Sequence, residues 1–167
     1  CRRIGISDES FFSAISGFQG AARRLETIYD ENGLRIFRDF AHAPSKLKAT
    51  VNAVKSRFAD EQLVAVFELH TFSSMNRKFL PHYAGALDQA NVRAVYFSPH
   101  AFELKKLKPF TEAEIREGFQ NTNLSILNSP EALIGFIRQQ VTKPANILLM
   151  SSGNFDNANF DEIPLLN

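Results

Sequence analysis

Cysteine and tryptophan are almost absent: Cys1 is the only thiol in 167 residues and there is no tryptophan. A single cysteine excludes a disulfide framework, and a reducing cytoplasm is the simplest compartment for such a chain. An excess of one charge is missing too. With 19 basic and 18 acidic residues the formal net charge is +1, which supplies no general grip on nucleic acid or on an anionic membrane. No apolar run approaches the roughly 20 residues that cross a bilayer. None of the 8 glycines falls in a G-x-x-x-x-G-K-[ST] loop or a G-x-G-x-x-G fingerprint, so any phosphate chemistry needs a cradle from elsewhere. The chain also opens Cys1-Arg2-Arg3, with neither an initiator methionine nor a signal-peptide pattern. It reads as a piece cut from a longer protein, holding part of an active site.

What is present is ordinary for a globular protein, 44% hydrophobic and 22% charged, and enough for one domain with a continuous core. Ser7 to Ile15 begins with a capping residue and acids, then places Phe11, Phe12 and Ile15 at helical spacing, predicting a short helix ending near Gly17. Two period-two runs, Leu25–Tyr29 and Leu34–Arg38, flank Asn32-Gly33, a strong hairpin turn. From Pro44 the period becomes helical through Leu47, Val51, Val54 and Phe58. Leu63–Phe67 is a continuous apolar run of the kind buried on both faces of a parallel sheet. The alternation continues with a helical region near Lys78 to Gln89, a strand at Ala94–Phe97 and a helix after Thr111-Glu112. It ends with a short strand at Leu124–Leu127, a helix from Ser129 to about Val141 and a strand at Ile147–Met150. The segment Ser98–Pro109, with three lysines and two prolines, is expected to be a mobile loop. The fold expected is α/β: a Rossmann-like, mostly parallel sheet of about six strands, helices on both faces, and an antiparallel N-terminal hairpin.

Ligands of open α/β sheets bind beyond the carboxyl ends of the strands. The residues following the strands here are Arg38 to Pro44, Glu68 to Ser74, Ser98 to His100 and Ser151 to Phe155. Three of the four histidines, with Asp39, fall in these segments. An aspartate there serves equally as a helix cap, and a histidine as a hydrogen-bonded structural residue. His42 and His70 lack the spacing of H-E-x-x-H and have no thiol partner, so metal binding by them is not expected. Ser151-Ser152-Gly153 lacks the flanking glycines of a nucleophile elbow.

Asp39-Phe40-Ala41-His42-Ala43-Pro44 followed by Lys48-Ala49-Thr50 resembles the D-Y-A-H-x-P…A-T motif that opens the C-terminal domain of Mur ligases. Phe18 to Glu26, with its basic pair Arg23-Arg24, is similar to that family's domain linker. Val66 to Ser73 resembles the next strand end, F-x-P-H-x-Y-S in the alanine-adding members. Leu149 to Phe155 is similar to the M-S-N-G-G-F ending of murein peptide ligases. Thr71 and Ser74 stand where arginines are usual, Ala43 where a second histidine is frequent, and Asp156-Asn157 where glycines are.

The resemblance implies a single C-terminal Mur ligase domain, core about 18–155, from a three-domain, ATP-dependent amide ligase of peptidoglycan recycling or synthesis. The N-terminal and central domains would bind UDP-N-acetylmuramate and carry the phosphate loop with most of the Mg ligands. ATP would convert the sugar carboxylate to an acyl phosphate, which the incoming amine attacks. By motif position Arg24 would meet the terminal phosphate, Asp39 the ribose hydroxyls of ATP and His42 the nucleotide. His70, Ser151 and Asn154 would line the amine pocket. Tripeptide is the expected amine and free L-alanine the alternative. A different class of reading is a non-catalytic Rossmann-like binding module. On the ligase reading the domain alone is expected to be inactive.

Overall fold

The computed structural model describes residues 5–16 and 24–164, so Phe18–Arg23 of the linker motif lie outside the described residues. Helix α1 spans Asp8–Ser16. Strands β1 (Glu26–Glu31) and β2 (Leu34–Asp39) form the expected hairpin. Its turn places Asn32 at φ 52 and Gly33 at φ 74, as a two-residue loop with both central residues left-handed requires. A register shift between Thr27 and Tyr29 marks a bulge in the edge strand, which twists an edge away from unwanted pairing.

Helix α2 (Pro44–Arg57) starts on Pro44, buries Leu47, Val51 and Val54, and carries Lys55 and Arg57 in its last turn, where cations suit the helix dipole. The remaining elements are β3 (Gln62–Leu69), β4 (Val92–Phe97), α3 (Pro99–Leu104), α4 (Glu112–Gly118), β5 (Ser125–Leu127), α5 (Pro130–Gln140) and β6 (Ala145–Met150). The sheet order is β1-β2-β6-β3-β4-β5, parallel throughout except at β1. The last strand therefore inserts between β2 and β3, and the carboxyl ends of β2, β6, β3 and β4 share one edge.

Side-chain alternation builds the two cores. Leu63, Ala65, Phe67 and Leu69 of β3 pack with residues of α2, α3 and α4, whereas Val64 and Val66 pack with Leu133, Ile134 and Ile137 of α5. Helices thus cover both faces, as a parallel sheet buried on each side demands. Glu68 continues the even series, so parity sends its carboxylate under the segment that follows β6.

Three expectations change. Lys78–Gln89 is not a helix: only Leu80–Tyr83 forms a 3-10 turn. Pro81 and Gly85, the latter at φ 69, break the hydrogen-bond ladder that the spacing suggests. The first half of Ser98–Pro109 is the helix α3, capped by the Ser98 hydroxyl accepting from Ala101 N–H. The packed core also runs past Phe155, because Ile163 is fully buried among the α5-face residues.

Helix α4 begins with a reciprocal capping box between Thr111 and Glu114, and Arg77 donates to the Glu114 carboxylate at 2.6 Å. Arg77 and the Thr111 N–H together lower the Glu114 pKa from 4.5 to about 2. A depressed folded-state pKa gives stability that is present above 4.5 and lost as pH falls towards 2. Glu114→Gln should therefore lower the urea midpoint slightly at pH 7 and hardly at all near pH 2, flattening its fall over that acid window.

Candidate functional site

Two clefts open at the carboxyl edge. The first, of about 220 Å3, is lined by Arg24, Asp39, Phe40, Lys46 and Thr50 among others. Asp39 ends β2. Its Oδ2 accepts the Leu25 N–H at 2.7 Å, and its Oδ1 accepts the Ala41 N–H at 2.7 Å and the Thr50 hydroxyl at 3.4 Å. The helix cap of α2 is Ala43, with no side-chain cap bond, so Asp39 is not a cap. It fastens the segment entering β1 to the end of β2, holding Leu25 at φ 48 and its neighbour Arg24 in the cleft wall. A carboxylate offers about four lone-pair sites, so Asp39 retains capacity for a further donor.

His42 stands just outside this lining. Its Nδ1 lies 2.9 Å from the Phe40 carbonyl oxygen and its ring meets Phe40 edge-on at 5.1 Å. The His42 carbonyl accepts the Tyr83 hydroxyl at 2.6 Å, and burial pushes the Tyr83 phenol up to about 12. The loop is thereby pinned to the 3-10 turn.

The second cleft, of about 290 Å3, lies beyond β2 and β6 and is lined by Arg38, Ser151, Gly153, Asn154, Phe155 and Asn157 among others. Behind it sits Glu68, 2% exposed. Its carboxylate accepts the Ser151 hydroxyl and the Phe155 N–H, and His70 Nδ1 lies 3.6 Å from its other oxygen. The Ser151 oxygen in turn accepts the Gly153 N–H at 2.6 Å. The Asn154 amide donates to Asn157 at 2.8 Å. Ser151 is thus committed to holding the loop after β6, and Asn154 to closing a turn on its surface.

Phe155, Asp156 and Asn157 all have positive φ, at 53, 52 and 60. Three consecutive non-glycine residues in the left-handed region are costly, of order 1–3 kcal/mol each. The Glu68 bond to Phe155 and a 2.7 Å bond from the Tyr96 hydroxyl to Asp156 hold them there. Burial, then the Asp156 carboxylate, pushes the Tyr96 pKa far above the phenol range, so this donor stays protonated.

Gly153 allows the close approach of the loop to β3. A Cβ on it would lie 2.5 Å from His70 Nδ1 and 2.8 Å from the Glu68 carboxylate. Gly153→Ala should drive the His70 ring outwards and cost about 1–3 kcal/mol of stability. His70 ring chemical shifts and a urea titration check both.

The sequence-predicted residues therefore divide. Arg24 and Asp39 share the first cleft, with His42 at its margin; Ser151 and Asn154 share the second, with His70 behind Gly153. Arg38, Glu68 and Gly153 received no role from the sequence. The signals were a charge at the end of an apolar strand, at a parity shared with core residues, and a glycine in a strand-end turn. Among the described residues no three His, Cys, Asp or Glu side chains converge as a metal cage requires, and no helix is long and apolar enough to cross a membrane.

The profile of the Mur ligase glutamate ligase domain matches residues 23–153. A UDP-N-acetylmuramate–L-alanine ligase of Desulfitobacterium hafniense is 26% identical over 157 residues, 92% of this chain and 34% of that one. The chain thus spans about a third of that relative's length. Among solved structures, a murein peptide ligase of Psychrobacter arcticus superposes with TM-score 0.68 at 24% identity, covering 99% of this chain and 34% of the other. A UDP-N-acetylmuramate–alanine ligase of Thermotoga maritima gives TM-score 0.71 at 17% identity, covering 94% and 33%. The overall fold is thus shared with these ligases, and the chain belongs to the Mur ligase family, as its C-terminal, glutamate ligase domain.

Proposed function

We propose that this domain closes over ATP in a larger, three-domain amide ligase that joins an amine to the carboxylate of UDP-N-acetylmuramate. The observation that carries the reading is the first cleft, where Arg24, Asp39, Lys46 and Thr50 meet beyond β2. A guanidinium and an ammonium beside a hydrogen-bonding carboxylate suit a nucleotide: cations for phosphate oxygens, Asp39 for ribose hydroxyls. ATP supplies the energy that activates the sugar carboxylate as an acyl phosphate. This chain's residues hold and enclose it. Arg24 is exposed, so its charge gains strength only when a second surface excludes water. His42, fixed by Phe40 and Tyr83, shapes the cleft's rim as a contact rather than a base. On this reading Mg is held mainly by the central domain of the larger enzyme.

His70, Ser151 and Asn154, at and behind the second cleft, serve the amine-bearing substrate. Tripeptide is favoured by the Met150-Ser151-Ser152-Gly153 ending. Free L-alanine is the second reading, favoured by the L-alanine ligase among the similar sequences. In the full-length enzyme Asp39→Ala should raise the KM for ATP by on the order of 10-fold, the scale of one charge-assisted hydrogen bond. Part of that arises from release of Leu25 and Arg24. An unchanged KM, measured by ATP-dependent phosphate release, contradicts the role. The isolated domain should fold, show no ligase activity and bind ATP weakly; tight stoichiometric binding contradicts the lid.

A further inference from the structure

We propose that Arg38 seats a carboxylate of the amine-bearing substrate in the second cleft, an inference that rests on the ligase reading above. Arg38 is the penultimate residue of β2, on the same parity as Leu34 and Ile36, which pack on the α5 face, and its side chain lines the cleft. Its Nε is buried without a hydrogen-bond partner among the described residues. Five other arginines are neutralised: Arg35 by Asp30 and Glu61, Arg77 by Glu114, Arg93 by Asp88, Arg116 by Glu112 and Arg138 by Glu162. Arg24 is exposed and Arg57 lies over the Phe58 ring, whereas Arg38 faces a cleft. Among the described residues no carboxylate lies within ion-pair distance of Arg38.

The shortage of partners is concentrated here. Four buried side-chain polar atoms lack a partner among the described residues, and three of them, on Arg38, His70 and Ser152, lie just beyond or at the ends of β2, β3 and β6. Buried polar groups are nearly always satisfied, so an unsatisfied cluster beside a cleft is a place where water, an ion or a ligand completes the bonding. Nearby acids do not meet the need. Glu68 has one oxygen committed to Ser151 and Phe155, and its other oxygen lies 3.6 Å from His70 Nδ1, beyond hydrogen-bond distance. Asp156 accepts from Tyr96 and lines a different cleft.

The shape of the cleft selects the ligand. No acidic side chain lines it, and Phe155, Ala158 and Phe160 give it an apolar wall. At about 290 Å3 it lies at the lower limit for ligand pockets, fitting one amino-acid residue. A planar, forked guanidinium matches the two oxygens of a carboxylate, while the wall takes the carbon that bears it.

The test uses the full-length protein with ATP and UDP-N-acetylmuramate, following phosphate release with L-alanine, the tripeptide L-alanyl-γ-D-glutamyl-meso-diaminopimelate and the carboxamide of each. Arg38→Met should lower kcat/KM for the accepted acid by on the order of 10–100-fold, and lower that for its already weak carboxamide by less than about threefold. Arg38→Lys, which keeps the charge without the fork, should fall between. Thermal melts confirm that each variant folds. Equal losses on acid and carboxamide, or no loss on either, would overturn the assignment to Arg38. No phosphate release by the wild type with any of the amines would instead overturn the ligase reading, and the substrate assigned to Arg38 with it.

Discussion

Replacing Glu68 with leucine should cost the protein about 3–5 kcal/mol of folding stability, seen as a lower urea midpoint at unchanged m-value. Shape alone would favour leucine, since the site is 2% exposed and most of β3 is apolar. The cost comes from the donors left behind. The Ser151 hydroxyl and the Phe155 N–H both point at the carboxylate, and each orphaned buried donor costs about 1–3 kcal/mol. Phe155 begins the left-handed run, so losing its anchor also releases the cleft wall. Glu68→Gln keeps one carbonyl acceptor and should lose only about 1–2 kcal/mol. Ser151→Ala combined with Glu68→Leu should cost less than the sum of the two alone, because one hydroxyl is counted in both. A loss below about 1 kcal/mol for Glu68→Leu would mean that both donors find other partners.

On the proposed ligase reading, Arg24→Ala should lower the turnover of the full-length protein by on the order of 10²–10³, the scale of removing one group aimed at charge that develops in a transition state. Arg24 makes no buried contact in the described structure, being exposed on the wall of the Asp39 cleft. Its removal should therefore leave thermal stability within about 0.5 kcal/mol of the parent. That separates it from Asp39, whose carboxylate also holds the Leu25 and Ala41 N–H groups. Arg24→Lys should restore part of the rate, since the charge remains but the fork is lost. A turnover unchanged in Arg24→Ala contradicts its place at the terminal phosphate.

Most of the sheet was legible in the sequence because buried parallel strands leave unbroken apolar runs. Leu63–Phe67, Ala94–Phe97 and Ile147–Met150 fall inside β3, β4 and β6. The hairpin was legible because Asn32-Gly33 has few alternatives. Strand order was not, since nothing local to β6 says that it inserts between β2 and β3. Lys78–Gln89 misled because apolar spacing there serves a series of turns packed on the sheet, with Leu80 and Tyr83 buried. Motif position singled out Asp39 and Arg24, and both line the first cleft. Glu68 was not legible, because its partners Ser151 and Phe155 lie in the loop after β6, nor was Arg38, because the cleft it lines is formed by that same loop, distant in sequence. The resemblance drew attention to Ser151 for substrate, whereas its hydroxyl is bonded to Glu68. Its contribution to the pocket is therefore made through the shape of the loop.

On the function proposed above, this domain completes an ATP-dependent ligase acting on UDP-N-acetylmuramate. The most direct measurement is phosphate release by the full-length protein supplied with ATP, UDP-N-acetylmuramate and either tripeptide or L-alanine. The account predicts release that requires all three substrates, is faster with tripeptide, and falls by on the order of 10² in Arg24→Ala. Release that ignores UDP-N-acetylmuramate, or none with either amine, would contradict it.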